Sequence, residues 1–281
     1  MKVVKNVLHM QKIALKHLKN KNEIGLVPTM GALHKGHVSL ISKSVKNNDI
    51  SIVSIFVNPI QFGPNEDYIK YPKPVQKDLK ICKENHVDYV FMPSVNDMFS
   101  HNYKTFVKVR DLQDILCGPI RPGHFVGVVT VILKLFNISQ ANRAYFGMKD
   151  FQQLKIVEKM VKDLNFSTEI VPCPIVREKD GLALSSRNSY LSADEKKNSL
   201  NIFKILNLAK QDFKKCKLNL VKSKAINRFK KIPNSKLDYA EIVKFDDLSK
   251  VDEKTKKAVF TVAMWIGKTR LIDNIIMSKK K

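Results

Sequence analysis

PTMGALHKGH, Pro28 to His37, is the stretch that decides the reading of this chain. An apolar run, Ile24 to Val27, precedes it and reads as a short buried strand, while Val38-Ser39-Leu40-Ile41 follows it with helical spacing. His34 and His37 therefore fall at a strand-to-helix turn, on the first turn of the helix, with the small Gly36 between them. The first N–H groups of a helix have no partner inside it, and its dipole favours negative charge there. Two imidazoles at such a place can donate to phosphate oxygens as charge grows on them. The pattern His34-x-Gly36-His37 thus suits adenylyl transfer from ATP, whereas a lone histidine at a turn would be a solvated cap. Neither a GxxxxGK[ST] loop nor G-x-G-x-x-G is present, so ATP would bind through the histidine turn.

Outward from that turn, strand-like and helix-like segments alternate. Ile50 to Val57 is a β-branched run suited to a buried parallel strand. Pro72 to Val87 has helical spacing, with Val75, Leu79 and Cys82 on one side. Tyr89 to Met92 reads as a short strand ended by Pro93, and Phe125 to Ile138 as an apolar helix. Ala144 to Phe146 is a brief strand, Phe151 to Leu164 an amphipathic helix, and Thr168 to Val171 a strand stopped by Pro172 and Pro174. This order implies an α/β fold: a Rossmann-like parallel sheet with helices on both faces, whose ligands bind beyond the carboxyl ends of the strands.

After about residue 176 the pattern changes. Ser192 to Glu195 resembles a capping box opening a Lys-rich helix to about Lys217, and a second helix covers Leu220 to Lys231. Strands follow at Tyr239 to Val243 and Ala258 to Ile266. The expected division is a sheet domain over 1–175 and a smaller C-terminal α+β domain over 176–281, joined in the loop between Val176 and Leu191.

The 281 residues are enough to bury a sizeable core, and 44% hydrophobic with 27% charged residues is ordinary for a globular chain. A formal charge of +24 is not. It invites a nucleic-acid reading, but the charge is mostly lysine, spread from Lys2 to Lys281, and arginine is scarce. A solvated basic surface with weak polyanion affinity fits better than a specific nucleic-acid site. Cys82, Cys117, Cys173 and Cys216 form no C-x-x-C pair, which argues for reduced thiols and against a zinc ribbon or disulfide scaffold. The lysines at 2, 5, 12, 16 and 19 leave no signal-peptide core, and the longest apolar run, Val126 to Leu133, is too short to span a bilayer. A cytoplasmic protein without membrane association is expected.

Three further clusters join the histidine turn. In Asn58-Pro59-Ile60-Gln61-Phe62-Gly63, Gln61 offers a carbonyl and an amide to a neutral hydroxyl-bearing substrate, though such residues also form turns. In Phe146-Gly147-Met148-Lys149-Asp150, Lys149 stands against the helix dipole unless an anion is near, with Asp150 as cap or ribose partner. It is also one lysine among many. In Leu184-Ser185-Ser186-Arg187-Asn188, two hydroxyls and a guanidinium in sequence suit phosphate oxygens. Arg121-Pro122-Gly123-His124-Phe125 places another Arg and His before an apolar helix.

Taken in order, PTMGALHKGH, FVNPIQFG, YPKP, RPGHFVGV, FGMKDFQQL and VREKDGLALSSRN resemble the pantoate–β-alanine ligase family, within the His-x-Gly-His nucleotidylyltransferases. The resemblance is dense from about residue 20 to 195 and looser beyond. It implies that the carboxylate of pantoate attacks the α-phosphorus of ATP, giving pantoyl adenylate and pyrophosphate. The amine of β-alanine then attacks the acyl carbon, giving pantothenate and AMP. It implies catalytic roles for His37, as proton donor, His34 and Lys149. It further implies ATP contacts from Met30, Gly31, Ala32, Leu33, His34, Lys35, Gly36 and His37, from Gly147, Met148, Lys149 and Asp150, and from Val176, Leu184, Ser185, Ser186 and Arg187. Gln61 and Gln153 would hold pantoate, Gln61 also lying near β-alanine. Mg²⁺ would travel with ATP, with no protein metal ligand, and the assembly would be a homodimer. Met148 and Lys77 stand where the family often has acidic residues, which removes negative charge near the nucleotide and beside Asp78.

Two other readings stay open from sequence. Another His-x-Gly-His adenylyltransferase would need a further basic grip for a phosphorylated acceptor, which Gln61 and Gln153 do not supply. A polyanion-binding protein would bind without His34 and His37 and release in modest salt.

Overall fold

The structure, a computed structural model, describes residues 1–64 and 66–279. The first helices are α1 (Val7–Lys19), α2 (Lys35–Asn47), α3 (Val75–Glu84), α4 (Val95–Met98), α5 (His124–Ser139) and α6 (Phe151–Asp163). They surround a sheet of β1 (Lys2–Val4), β2 (Ile24–Thr29), β3 (Ile50–Ile55), β4 (Tyr89–Phe91), β5 (Arg143–Gly147) and β6 (Glu169–Cys173). Its order is β1-β4-β3-β2-β5-β6, and every pair is parallel.

Successive strand residues face opposite sides, and here both sides are covered, which is why these strands read as unbroken apolar runs. Leu26, Ile52, Phe91, Ala144 and Phe146 join a core with α1, α5 and α6. Their chain neighbours Val27, Val53, Val90 and Tyr145 join a second core with α2 and α3. The chain leaves β2 for β3 and β4 on one side and later sets β5 against the other side of β2. The loops leaving the carboxyl ends of β2 and β5 therefore diverge and open a crevice between them.

After β6 the chain forms α7 (Ala193–Asp212), α8 (Leu218–Phe229) and an antiparallel sheet of β7 (Ser235–Lys244), β8 (Lys257–Ile266) and β9 (Thr269–Ser278), in that order. Leu206, Ala209, Ala225 and Phe229 pack the two helices onto Phe260, Val262 and Met264 of β8. The capping box at Ser192 and Glu195 is formed.

The structure departs from the sequence reading at several elements. β6 runs through Pro172 instead of stopping at it. An edge strand tolerates a proline because its outward N–H has no ladder partner to lose. α7 ends at Asp212, where Phe213 turns inward and is buried, so the chain can reverse into α8. Sequence reading drew neither α1 nor β9. In α1 only Met10 and Ala14 are fully buried while Leu8 and Leu15 are exposed, so no clean stripe shows. In β9 the buried Asp273 and Asn274 break the apolar alternation.

Candidate active site

A cleft of about 240 Å³ lies at this crevice, walled by the turn after β2, the turn after β3, the turn after β5 and the segment from Pro174 to Arg187. His34 is the N-cap of α2 and His37 its third residue. Nδ1 of His34 accepts from the Gly36 N–H at 3.1 Å, and Nδ1 of His37 accepts from the His34 N–H at 3.3 Å. An imidazole whose Nδ1 accepts carries its proton on Nε2. The capping box thus fixes both tautomers and leaves two Nε2–H donors beside the cleft, ring centroids 4.1 Å apart. Burial, then the Lys149 charge, pushes His34 down to about 4 against the pull of Asp150. Burial, then His34 and Lys149, pushes His37 down to about 3. Both rings are neutral hydrogen-bond donors at pH 7.

The loop entering α2 is tied down by a residue that sequence reading did not single out for the site. Asp78 of α3 is 1% exposed and accepts from the Ala32 and Leu33 N–H groups, each at 2.8 Å. An acid on the apolar stripe of Val75 and Cys82 was the available signal. Burial raises its carboxyl despite the two N–H groups.

Gln61 is 9% exposed in a short 3-10 turn (Pro59–Gln61). Its Oε1 accepts from Asn58 at 3.0 Å and its Nε2 points at Met30 Sδ, 3.1 Å away. Asn58 also donates to the Gly127 carbonyl of α5 at 3.0 Å. A Cβ on Gly127 would lie 2.4 Å from the Ile60 carbonyl oxygen, so only glycine lets α5 press this close. His124 donates from Nδ1 to the Gln61 carbonyl at 2.8 Å and accepts from Arg121 at 3.0 Å. Burial and the Arg121 charge push it down to about 3. Arg121 in turn grips Glu66 with its Nε at 2.6 Å. Burial would raise that carboxyl, but Arg121 outweighs it and holds Glu66 below its usual range.

Lys149 and Asp150 project from the 3-10 turn (Met148–Asp150) after β5. Burial lowers the Lys149 ammonium, opposed by Asp150 and Asp273. Gln153 lines the cleft from α6. Its neighbour Gln152 instead donates to the Leu112 and Ile115 carbonyls and accepts from the Cys117 N–H, a structural bracket. Arg187 donates from Nε and Nη2 to Asp67 at 2.9 and 2.7 Å, and Ser186 meets the Tyr71 hydroxyl at 3.1 Å. Burial works against the Arg187 charge, but Asp67 more than restores it. Asp67 was missed because nothing in its local pattern marks a loop that reaches across 120 residues, and Tyr71, though within the quoted YPKP, was given no role in the site.

Of the sequence-predicted residues, Met30, His34, Gly36, His37, Gln61, Gly147, Lys149, Asp150, Gln153, Val176 and Leu184 to Arg187 line the cleft. Gly31, Ala32, Leu33, Lys35 and Met148 do not. Ala32 and Leu33 turn their amides to Asp78, Lys35 is exposed, and Met148 packs against both the α5 core and the Phe151 cluster. Among the described residues, no group of three or more His, Cys, Asp or Glu could hold a metal ion, and no helix is long and apolar enough to cross a membrane.

Residues 2–276 match the family model described as pantoate-beta-alanine ligase. The chain is 73% identical over 281 residues to the pantothenate synthetase of Endomicrobium trichonymphae, covering 100% of this chain and 99% of that one. The crystal structure of pantothenate synthetase from Thermus thermophilus superposes with a TM-score of 0.93 at 38% identity, covering 98% and 99% of the two chains. A pantoate-beta-alanine ligase from Francisella tularensis, complexed with beta-gamma ATP and beta-alanine, superposes with a TM-score of 0.82 at 38% identity, covering 98% and 97%.

Proposed function

The chain belongs to the pantoate–β-alanine ligase family, and from that premise we infer how its own residues divide the work of joining pantoate to β-alanine with ATP. The pantoate carboxylate attacks the α-phosphorus, the bond to the bridging oxygen breaks, and pyrophosphate leaves. The β-alanine amine then attacks the acyl carbon and AMP leaves with the electron pair.

The observation that carries the reading is the pair of Nε2–H donors fixed by the His34 and His37 cap. Their place is on the phosphates, where negative charge grows as the leaving group departs, and fixed donors need no reorganisation then. His37, pushed to about 3, acts by donating a hydrogen bond from Nε2; transfer of a whole proton from an imidazolium is not needed. Lys149 and Arg187 neutralise phosphate, with Asp150, Val176 and Leu184 to Ser186 completing the nucleotide wall. Gln61 and Gln153 take the pantoate hydroxyls and carboxylate, Gln61 reaching toward β-alanine. Mg²⁺ fits as a companion of ATP, because the cleft offers mainly N–H donors and Asp150 as its carboxylate.

The same proposal treats 1–175 as the ATP- and pantoate-binding domain and 176–281 as a lid. A homodimer in the cytoplasm follows from the family premise alone. The deciding experiment is pyrophosphate exchange into ATP with pantoate present and β-alanine withheld. Exchange that requires pantoate and is lost in His37→Ala supports the reading; none from folded wild-type protein with Mg²⁺ supplied refutes it.

A further inference from the structure

We propose that Asn274, on β9 of the small sheet, is a positioning residue for this reaction: its side-chain amide holds the turn that carries Lys149 and so sets where that ammonium stands. The inference rests on the reading of Lys149 as a phosphate-binding group. Asn274 is 2% exposed, and its Nδ2 donates to the Met148 and Lys149 carbonyls, each at 2.9 Å. One amide nitrogen with two hydrogens thus satisfies two successive carbonyls. Neither end of the turn is held by a side-chain cap: Gly147 has no side chain to offer, and Asp150 makes no cap bond. The turn's geometry is set by a strand 125 residues further along the chain.

That strand is itself braced. Arg177 donates to both oxygens of the buried Asp273 at 2.6 and 2.8 Å and to the Asn274 carbonyl at 3.2 Å, while the Asn274 N–H bonds Asp273 at 2.7 Å. Adjacent strand residues face opposite ways. Asp273 bonds the segment leading to Leu184 and Arg187, with its charge also reaching the Lys149 ammonium, and Asn274 holds the backbone of the Lys149 turn. One strand of the small sheet moors both walls of the nucleotide site.

The test is a double-mutant cycle on pantoate-dependent exchange, with Asn274→Asp, Lys149→Ala and the pair, each checked by melting temperature. Asn274→Asp keeps the shape but turns an acceptor on the two carbonyls and adds a negative charge near Lys149, so Asn274→Ala, which removes the two donors and adds no charge, must show the same loss and the same dependence on Lys149. The expected result is a loss of kcat/KM for ATP of tenfold or more, absent when Lys149 is already alanine. Equal losses in both backgrounds, or exchange at the wild-type rate, overturn the proposal. If wild-type protein shows no exchange, the reaction reading fails by itself. The clamp is then read by acetic anhydride labelling of ligand-free protein, with exposed Lys159 as reference. Lys149 labelling altered threefold or more relative to Lys159 supports it, and unaltered labelling overturns it.

Discussion

Gly36→Ala separates the chemistry of the histidine turn from its stability. Gly36 is the second residue of α2, a place where alanine ordinarily favours the helix by about 0.5–1 kcal/mol. A Cβ there would lie 2.8 Å from His34 Cε1 and 2.9 Å from its Nδ1, well inside van der Waals contact. The other near neighbour, Leu184 Cβ at 3.9 Å, is not crowded, so the His34 ring alone must turn away. Turning breaks the 3.1 Å bond from the Gly36 N–H to Nδ1, a net loss of about 0.5–1.5 kcal/mol. Helix gain and cap loss therefore nearly cancel. The melting temperature should stay within about 4 °C of wild type.

The chemistry has no such compensation. On the proposed reading a turned ring would no longer aim its Nε2–H at the phosphates, and loss of one fixed donor typically costs a factor of about 10²–10³, or about 2.7–4 kcal/mol of barrier. Pantoate-dependent exchange should fall by that factor in a protein that melts normally. Exchange within threefold of wild type would show that Gly36 does not set the His34 ring. A melting temperature collapsed along with activity would show that the turn is structural first.

Asp78→Asn should lower stability by about 2 kcal/mol and raise KM for ATP. The new amide can accept from only one of the two loop N–H groups and presents a donor to the other. Thermal unfolding and exchange kinetics read the two effects, and an unchanged melting temperature would mean the loop does not need its anchor. The histidines make a pH prediction of definite sign. His34, His37 and His124 stand near 4, 3 and 3 when folded and near 6.5 when unfolded, so below about pH 6.5 the unfolded chain binds the extra protons. Stability should therefore fall on acidification from about pH 6.5 towards 4, approaching about 1.4 kcal/mol per histidine per pH unit. His124→Gln should flatten the slope by about one histidine's share. A melting temperature constant from pH 7 to 5 would contradict it.

How much of this was legible in the sequence follows from the range of the interactions. The histidine turn could be read because its partners lie within three residues: His34 bonds Gly36, and His37 bonds the His34 N–H. The central strands could be read because burial on both faces removes every polar residue from Leu26-Val27 or Ile52-Val53. The supports of the site were hidden because they are long-range. Asp78 acts across 46 residues on Ala32, Arg187 meets Asp67 across 120, and Asn274 reaches Lys149 across 125. A residue chosen for a distant partner leaves no period in its own neighbourhood. At most it breaks one, as Asp78 does on α3 and as Asp273 and Asn274 do on β9.

Those long-range pairings also decide which cation of the cleft already has a bonded carboxylate. Arg187 is held by both oxygens of Asp67, and Arg121 by Glu66. His34, His37 and His124 are neutral near pH 7. Among the described residues that line the cleft, Lys149 is the cation with no hydrogen-bonded side chain, and it feels Asp150 and Asp273 only through space. Burial without a bonded partner is costly for an ammonium, and on the proposed reading an arriving polyphosphate would remove that cost where the reaction builds charge. The surface lysines that supply most of the +24 take no part in this, since water already screens them. On that reading, what distinguishes Lys149 is its place, half-buried at the cleft on a turn held by Asn274 with no carboxylate bonded to it, so that its counterion would arrive with the substrate.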